Sequence, residues 1–242
     1  MTFDPFGDFE TRGYLRNVTS EKDLTIVKRL EHAAFMTGID EAFATLARHT
    51  KLNYGHMLQT HRILFGSVYP WAGQDRTQTA PQLTISKGQV IFANPPEIRR
   101  AVEYGLQLGQ VGASMIERPG EVMGYLAFGH PFLDGNGRMI MTVHAVMAQR
   151  AGFSISWAAT DKFAYLDALT REIERPGKGI LDSYLKPFIG ESIDYHRLAA
   201  RVAAAPGLDG STDAQANEVL GESTEPNVKD RYEAMLRKRQ QQ

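Results

Sequence analysis

His130-Pro131-Phe132-Leu133-Asp134-Gly135-Asn136-Gly137-Arg138 is the stretch around which this chain is organised. It brings a titratable base, a carboxylate, two glycines, a carboxamide and an arginine into nine consecutive positions. The run that follows, Met139 to Ala148, is apolar and free of proline, and Gly152 closes it. That pattern predicts a buried helix whose N-terminus is the glycine stretch. A helix start leaves backbone N–H groups without partners and carries partial positive charge, so it attracts anions, phosphates above all. Glycine lets a phosphate approach that backbone with no Cβ in the way. On this frame His130 is a base that titrates near neutral pH, and Asp134 is a hard oxygen donor suited to Mg²⁺. Arg138 can fork two phosphate oxygens from the first helical turn. Base, metal ligand and anion hole together point to phosphoryl or nucleotidyl transfer, chemistry that is mostly positioning and charge stabilisation. A bare Asp-Gly-Asn-Gly signals no more than a turn; the flanking histidine, arginine and helix set this one apart.

Working outward, the chain has 242 residues, 43% hydrophobic and 23% charged, with a formal net charge of −1. This is an ordinary globular composition with enough apolar residues for a sizeable core. The near-zero charge argues against a generic nucleic-acid or membrane surface, and no apolar run is long enough to span a bilayer. There are no cysteines, so disulfides, thiol nucleophiles and thiolate metal sites are excluded. That fits a reducing cytoplasm, and the N-terminus lacks a signal-peptide pattern.

Residues 1 to about 18 show no period and are expected to wrap onto the domain. Thr19 to Asp23 offers caps for a helix with Leu24, Val27 and Leu30 on one face. Gly38 is expected to interrupt it, with a second short helix from Ile39 to Arg48. Asn53 caps a third, running to Gly66; His61 on its apolar face is expected to be a buried, hydrogen-bonded histidine. His56 and His61 do not have the spacing of a zinc-binding helix pair. The Tyr69 and Trp71 aromatics read as core packing. Leu83 to Ser86, Lys87-Gly88-Gln89 and Val90 to Phe92 read as a short β-hairpin with an edge open to an extended peptide. Asn94-Pro95-Pro96-Glu97 is a helix start, Pro119-Gly120 opens the helix that leads into His130, and Asp161 caps another beyond Gly152. After a last core helix near Ile180 to Phe188, an Ala-rich helix and a charged segment, Val228 to Arg239, read as a solvated helix and frayed tail.

The central stretch resembles the signature of the Fic family, His-x-Phe-x-(Asp/Glu)-Gly-Asn-Gly-Arg-x-x-Arg, and matches it from His130 through Arg138. Upstream, His61 to Gly73 resembles a second family feature, and the Lys87-Gly88 hairpin with Phe92 resembles the family's flap. The resemblance spans about Leu24 to Phe188. It implies a mainly α fold, a Fic-type helical bundle with a short β-hairpin flap beside the active site. The implied organisation is an N-terminal extension over 1–20, the Fic domain over 21–190, and a C-terminal helical extension and tail over 191–242.

The resemblance also implies roles. His130 would deprotonate a Ser, Thr or Tyr hydroxyl of a target protein, which attacks the α-phosphate of ATP and releases pyrophosphate. Asp134 would hold Mg²⁺; Asn136 with the backbone at Gly135 and Gly137 would form the anion hole; Arg138 would hold the β-phosphate; and Phe132 would anchor the loop. Thr84, Ile85, Ser86, Lys87 and Gly88 would register the target segment. One position departs from the signature: the second arginine is Met141, which opens the donor question to UMP, GMP, phosphate or phosphocholine, or to binding with little turnover. Arg76 and Arg150 are expected to be surface or structural arginines rather than substitutes. No Glu is followed by Gly or Asn, so the family's Ser/Thr-x-x-x-Glu-Gly/Asn inhibitory motif is absent. The resemblance then implies restraint by a separate antitoxin-like chain, or none. A cytoplasmic toxin and an effector secreted into host cells both fit.

Overall fold

The apolar run after the glycine stretch is a helix, Asn136–Arg150, buried at every position from Met139 to Ala148. The structure is a computed structural model that describes residues 4–208 and 217–240. In chain order the elements are α1 (Phe9–Arg12), α2 (Leu24–Ala47), α3 (Tyr54–Phe65), α4 (Arg76–Thr79), β1 (Leu83–Lys87), β2 (Val90–Ile91), α5 (Pro95–Gly109), α6 (Gly112–Glu117), α7 (Pro119–Gly129) and α8 (Asn136–Arg150). They continue with β3 (Phe153–Ile155), α9 (Lys162–Glu174), α10 (Ile180–Leu185), β4 (Ile189–Glu191), α11 (Tyr195–Ala203), β5 (Glu218–Glu222) and α12 (Pro226–Gln240). The fold is thus mainly α, as the signature implies.

Local signals place several helix starts. Asp23 caps α2 by accepting from the Thr25 and Ile26 amides. Asn53 and His56 form a reciprocal capping box on α3, and Asp161 caps α9 by accepting from Ala164 N. The two prolines after Asn94 stand in the first turn of α5, where a missing N–H costs nothing. α7 and α8 form the centre, with α5 along α7 and α2 and α3 against α8. The N-terminal residues do wrap onto this body: Leu15 is buried and its carbonyl accepts from Trp71 Nε1 at 2.6 Å. Tyr69 and Trp71 stack at 4.3 Å in the core.

Three expectations need correction. Gly38 does not break the first long helix, and α2 runs through it. A Cβ there would sit 2.7 Å from the Ile63 carbonyl oxygen, so this glycine permits a close crossing of α2 over α3. Beyond the hairpin there is a second small sheet, β3 antiparallel to β4. The charged C-terminal segment is docked rather than frayed: α12 buries Val228 and Tyr232, and Tyr232 Oη accepts from Asn94 N at 3.0 Å while donating to Glu97. Ahead of it, β5 pairs antiparallel with β1, giving the strand order β2-β1-β5.

Candidate active site

The loop between α7 and α8 is held mainly by its backbone. His130, at φ 41° and ψ 58°, is a left-handed cap on α7, a conformation that a non-glycine residue keeps only when its surroundings enforce it. Arg76 enforces it: its Nε donates to the His130 carbonyl at 2.9 Å, its backbone N to Pro131 O at 2.7 Å, and its Nη2 to Ala93 O at 2.6 Å. Burial pulls the Arg76 pKa down to about 10, which leaves it charged at neutral pH. At the other end His61 Nδ1 accepts from Gly73 N at 3.0 Å, so Nε2 carries the proton and donates to Asp134 O at 2.9 Å. Burial pushes the His61 pKa down to about 3. His61 is therefore the neutral structural histidine expected, and it stacks on Phe132 at 3.7 Å.

Asn136 differs from expectation. Its Oδ1 accepts from Phe132 N at 2.9 Å and its Nδ2 donates to Phe132 O at 2.7 Å, so the carboxamide ties the loop together and is not free for a phosphate. Gly135, at φ +77°, lies so close to Phe65 that a Cβ would fall 2.6 Å from the ring. Gly137 is the opposite case. A Cβ there would meet nothing within 4 Å, which leaves open space in front of the first-turn amides of Asn136, Gly137 and Arg138. These amides fit an anion.

His130 stands beside that opening. Its ring stacks on Phe92 at 3.6 Å, and its Nε2 is buried with no hydrogen-bond partner among the described residues. Burial, then the nearby charges of Arg76 and Lys87, hold its pKa well below the usual histidine range, so the ring is neutral and basic at pH 7. A cleft of about 210 Å³ opens here, lined by His130, Gly137, Lys87, Phe92, Tyr165 and Ile173 among others.

An ion network with no local signature lies behind the loop. α2 sends Lys28 and Glu31, both buried, to the far side of the signature. Lys28 donates to Glu31 at 3.0 Å and to Asp134 Oδ2; Glu31 also accepts from Tyr69 and from Arg138. Burial alone would raise the Asp134 pKa, but the Lys28 ammonium outweighs it and holds the carboxyl well below its usual range. Burial likewise works to lower Lys28, and Asp134 and Glu31 outweigh it, so its pKa is raised. Lys28 and Glu31 are three apart on one helix, a spacing that ordinarily marks a solvated pair.

This network decides the fit of a divalent metal. Asp134 Oδ2 carries the Lys28 ammonium and accepts from Tyr14 Oη at 3.4 Å, while Oδ1 accepts from Gly135 N at 2.7 Å. Both oxygens are engaged and the nearest second carboxylate, Glu31, is spent on three donors. The Mg²⁺ role expected of Asp134 does not fit this arrangement, because a protein cation already neutralises the carboxylate. The flap expectation is corrected too. Thr84, Ile85 and Ser86 are buried in β1 between β2 and β5, with Ile85 opposite Val219 and Ser86 opposite Glu218. The edge meant for a target is occupied by the chain itself, and of those five residues only Lys87 and Gly88, next to the turn residue Gln89, are exposed. Met141 is buried in the core. Neither arginine replaces the missing one, since Arg76 clamps the loop and Arg150 Nη2 caps α2 at the Leu46 carbonyl, 2.9 Å away.

Residues 51–148, which contain the loop, both clamps and most of α8, match the model of the Fic/DOC family. The chain carries a Fic/DOC-family domain. Over 168 residues it is 30% identical to the protein adenylyltransferase VbhT of Bartonella schoenbuchensis, an alignment covering 66% of this chain and 34% of that protein. The chain thus spans about a third of the length of that relative. Two solved Fic domains of VirB-translocated Bep effector proteins share the fold. One, from Bartonella quintana with bound ADP, has a TM-score of 0.58 and 19% identity over 78% of this chain and 96% of that one. The other, from Bartonella sp. AR 15-3, has a TM-score of 0.60 and 16% identity over 78% and 90%. Among the described residues of this Fic-domain chain, no helix is long and apolar enough to cross a membrane.

Proposed function

We propose that the chain is a Fic-type transferase that moves AMP from ATP to a hydroxyl of a target protein and releases pyrophosphate. Its Fic domain would comprise residues 21–190, with 1–20 and 191–242 as extensions. The observation that carries this reading is the neutral, unpartnered His130 Nε2 beside an open helix start. In the proposed step that nitrogen takes the hydroxyl proton as the oxygen attacks the α-phosphorus. The bond from the α-phosphorus to the bridging oxygen breaks, and the electron pair leaves with pyrophosphate. The amides of Asn136, Gly137 and Arg138 would bind the α-phosphate, and the Asn136 side chain would hold the loop. Lys28, Lys87 and Arg138 are the cations at hand for the remaining phosphate charge. Arg138 would reach the β-phosphate by leaving Glu31.

ADP bound to the Bartonella quintana domain and the adenylyltransferase name of the Bartonella schoenbuchensis relative favour an adenine nucleotide as donor. Met141 favours a second reading, a different donor, because no arginine stands where the γ-phosphate would be held. Labelling a cell lysate with each nucleoside triphosphate carrying label at the α-phosphate, using wild type and His130→Ala, separates the two. A His130-dependent band with ATP alone establishes AMP transfer. A band with another nucleotide selects the second reading, and no band with any defeats both.

A further inference from the structure

β5 lies where the target strand was expected, and the residue just before it reaches the catalytic loop. Asn217 Nδ2 donates to the Leu133 carbonyl at 2.6 Å, which places its carboxamide against the catalytic loop three residues after His130. From there Glu218 to Glu222 run antiparallel along β1, from Ser86 back to Leu83. An extended segment added to a sheet edge with one residue delivered to a base is the way a modified peptide would dock. The strand is lightly held: Glu218, Val219 and Glu222 are exposed, and the pairing slips between Thr84 and Ile85. Its anchor lies further on, where α12 buries Tyr232 against the start of α5 and Val228 beside Gly221. A weakly packed strand on a firm anchor can lift away locally without unfolding the rest. Meanwhile His130 Nε2 stays buried without a partner, which is an unfavourable arrangement unless a ligand hydroxyl completes it.

We propose that residues 217–222 are a built-in stand-in for the target segment, with Asn217 holding the place of the residue to be modified. This rests on the transferase reading above and adds its regulation. A carboxamide has no hydroxyl to surrender a proton, so the segment fills the docking edge without being consumed. A target must displace it and present its hydroxyl one residue ahead of the paired strand.

Asn217→Ser in the full chain tests the proposal by supplying the hydroxyl in place. With ATP labelled at the α-phosphate, the seryl oxygen attacks the α-phosphorus, His130 takes its proton, and pyrophosphate leaves. Mass spectrometry should find one nucleotidyl group at position 217, absent in wild type and in Asn217→Ser/His130→Ala. Adding Val219→Pro, which disrupts the strand opposite Ile85, should lower that self-labelling at least about tenfold. Val219→Pro alone should raise labelling of lysate proteins several-fold. Asn217→Ser that stays unlabelled while the same preparation labels lysate proteins would overturn the proposal, as would unchanged lysate labelling by Val219→Pro. A wild type that labels nothing under any condition, with both variants equally silent, would instead remove the transferase reading and this proposal with it.

Discussion

Glu31→Gln tests whether the ion network behind the signature restrains Arg138. Glu31 is wholly buried and accepts from Tyr69, Lys28 and Arg138. The amide keeps the shape and one acceptor oxygen but loses the charge, leaving two cations against the single carboxylate of Asp134. Breaking a buried ion pair from one side costs about 3–5 kcal/mol; the retained hydrogen bonds favour the lower end, about 3 kcal/mol. For a chain of this size that lowers Tm by about 6–12 °C. A phosphate at the open helix start would supply the missing negative charge to Arg138 and Lys28. Nucleotide should therefore raise the Tm of the variant more than that of wild type, where Arg138 must first leave Glu31. Differential scanning fluorimetry with and without ATP measures both quantities. A Tm within about 2 °C of wild type, or a smaller nucleotide-induced rise in the variant, would refute the reasoning.

Removing divalent cations with EDTA should change nucleotide affinity by less than about threefold, a difference under 1 kcal/mol, because Lys28 already neutralises Asp134; calorimetric titration of wild type and Lys28→Ala checks this. A strict metal requirement in wild type would restore the metal role of Asp134. The two glycines should separate. Gly135→Ala combines a positive φ with a clash on Phe65 and should destabilise by about 2–4 kcal/mol in urea, whereas Gly137→Ala should fold normally and lose nucleotide affinity, because its Cβ fills the anion cradle. In a pH series, transfer should hold its rate from pH 8 to 6.5, since His130 is depressed and loses basicity only below that range; a half-loss at pH 6.5 would contradict it. Stability follows the same sign. The folded pKa values of His61, about 3, and His144, about 4, lie below that of the free side chain. The unfolded chain therefore takes up protons first, and the urea midpoint should fall steadily from pH 6.5 towards 4.

What was legible in the sequence was local. The caps at Asp23, Asn53 and Asp161, the Pro-Pro start of α5, and the His130 to Arg138 signature each encode their geometry within a few residues. Gly38 misled because a glycine inside a periodic run looks like a stop, and only the approach of Ile63 reveals its use. Lys28 and Glu31 drew no reading from the sequence because nothing nearby announces partners more than a hundred positions away at Asp134 and Arg138. β5 was missed for the same reason. Asn217-Glu218-Val219-Leu220-Gly221-Glu222 is short, acidic and interrupted by glycine, and its partner strand lies over a hundred residues earlier. The carboxamide of Asn136 was assigned to the substrate because the signature shows that it matters without saying to which atoms it bonds.

The two clamps on the loop grip main-chain atoms: Arg76 holds the carbonyls of His130 and Pro131, and His61 holds that of Asp134. Carbonyls are common to every amino acid. The clamps therefore fix the path of the chain through atoms that no substitution removes. The clamps make no demand on the side chain at position 141, so a lineage could exchange it by point substitution without rebuilding them. The missing second arginine is then a change of tool in an unchanged holder, and ancestral reconstruction of position 141 offers a direct route to the donor this chain is built to use.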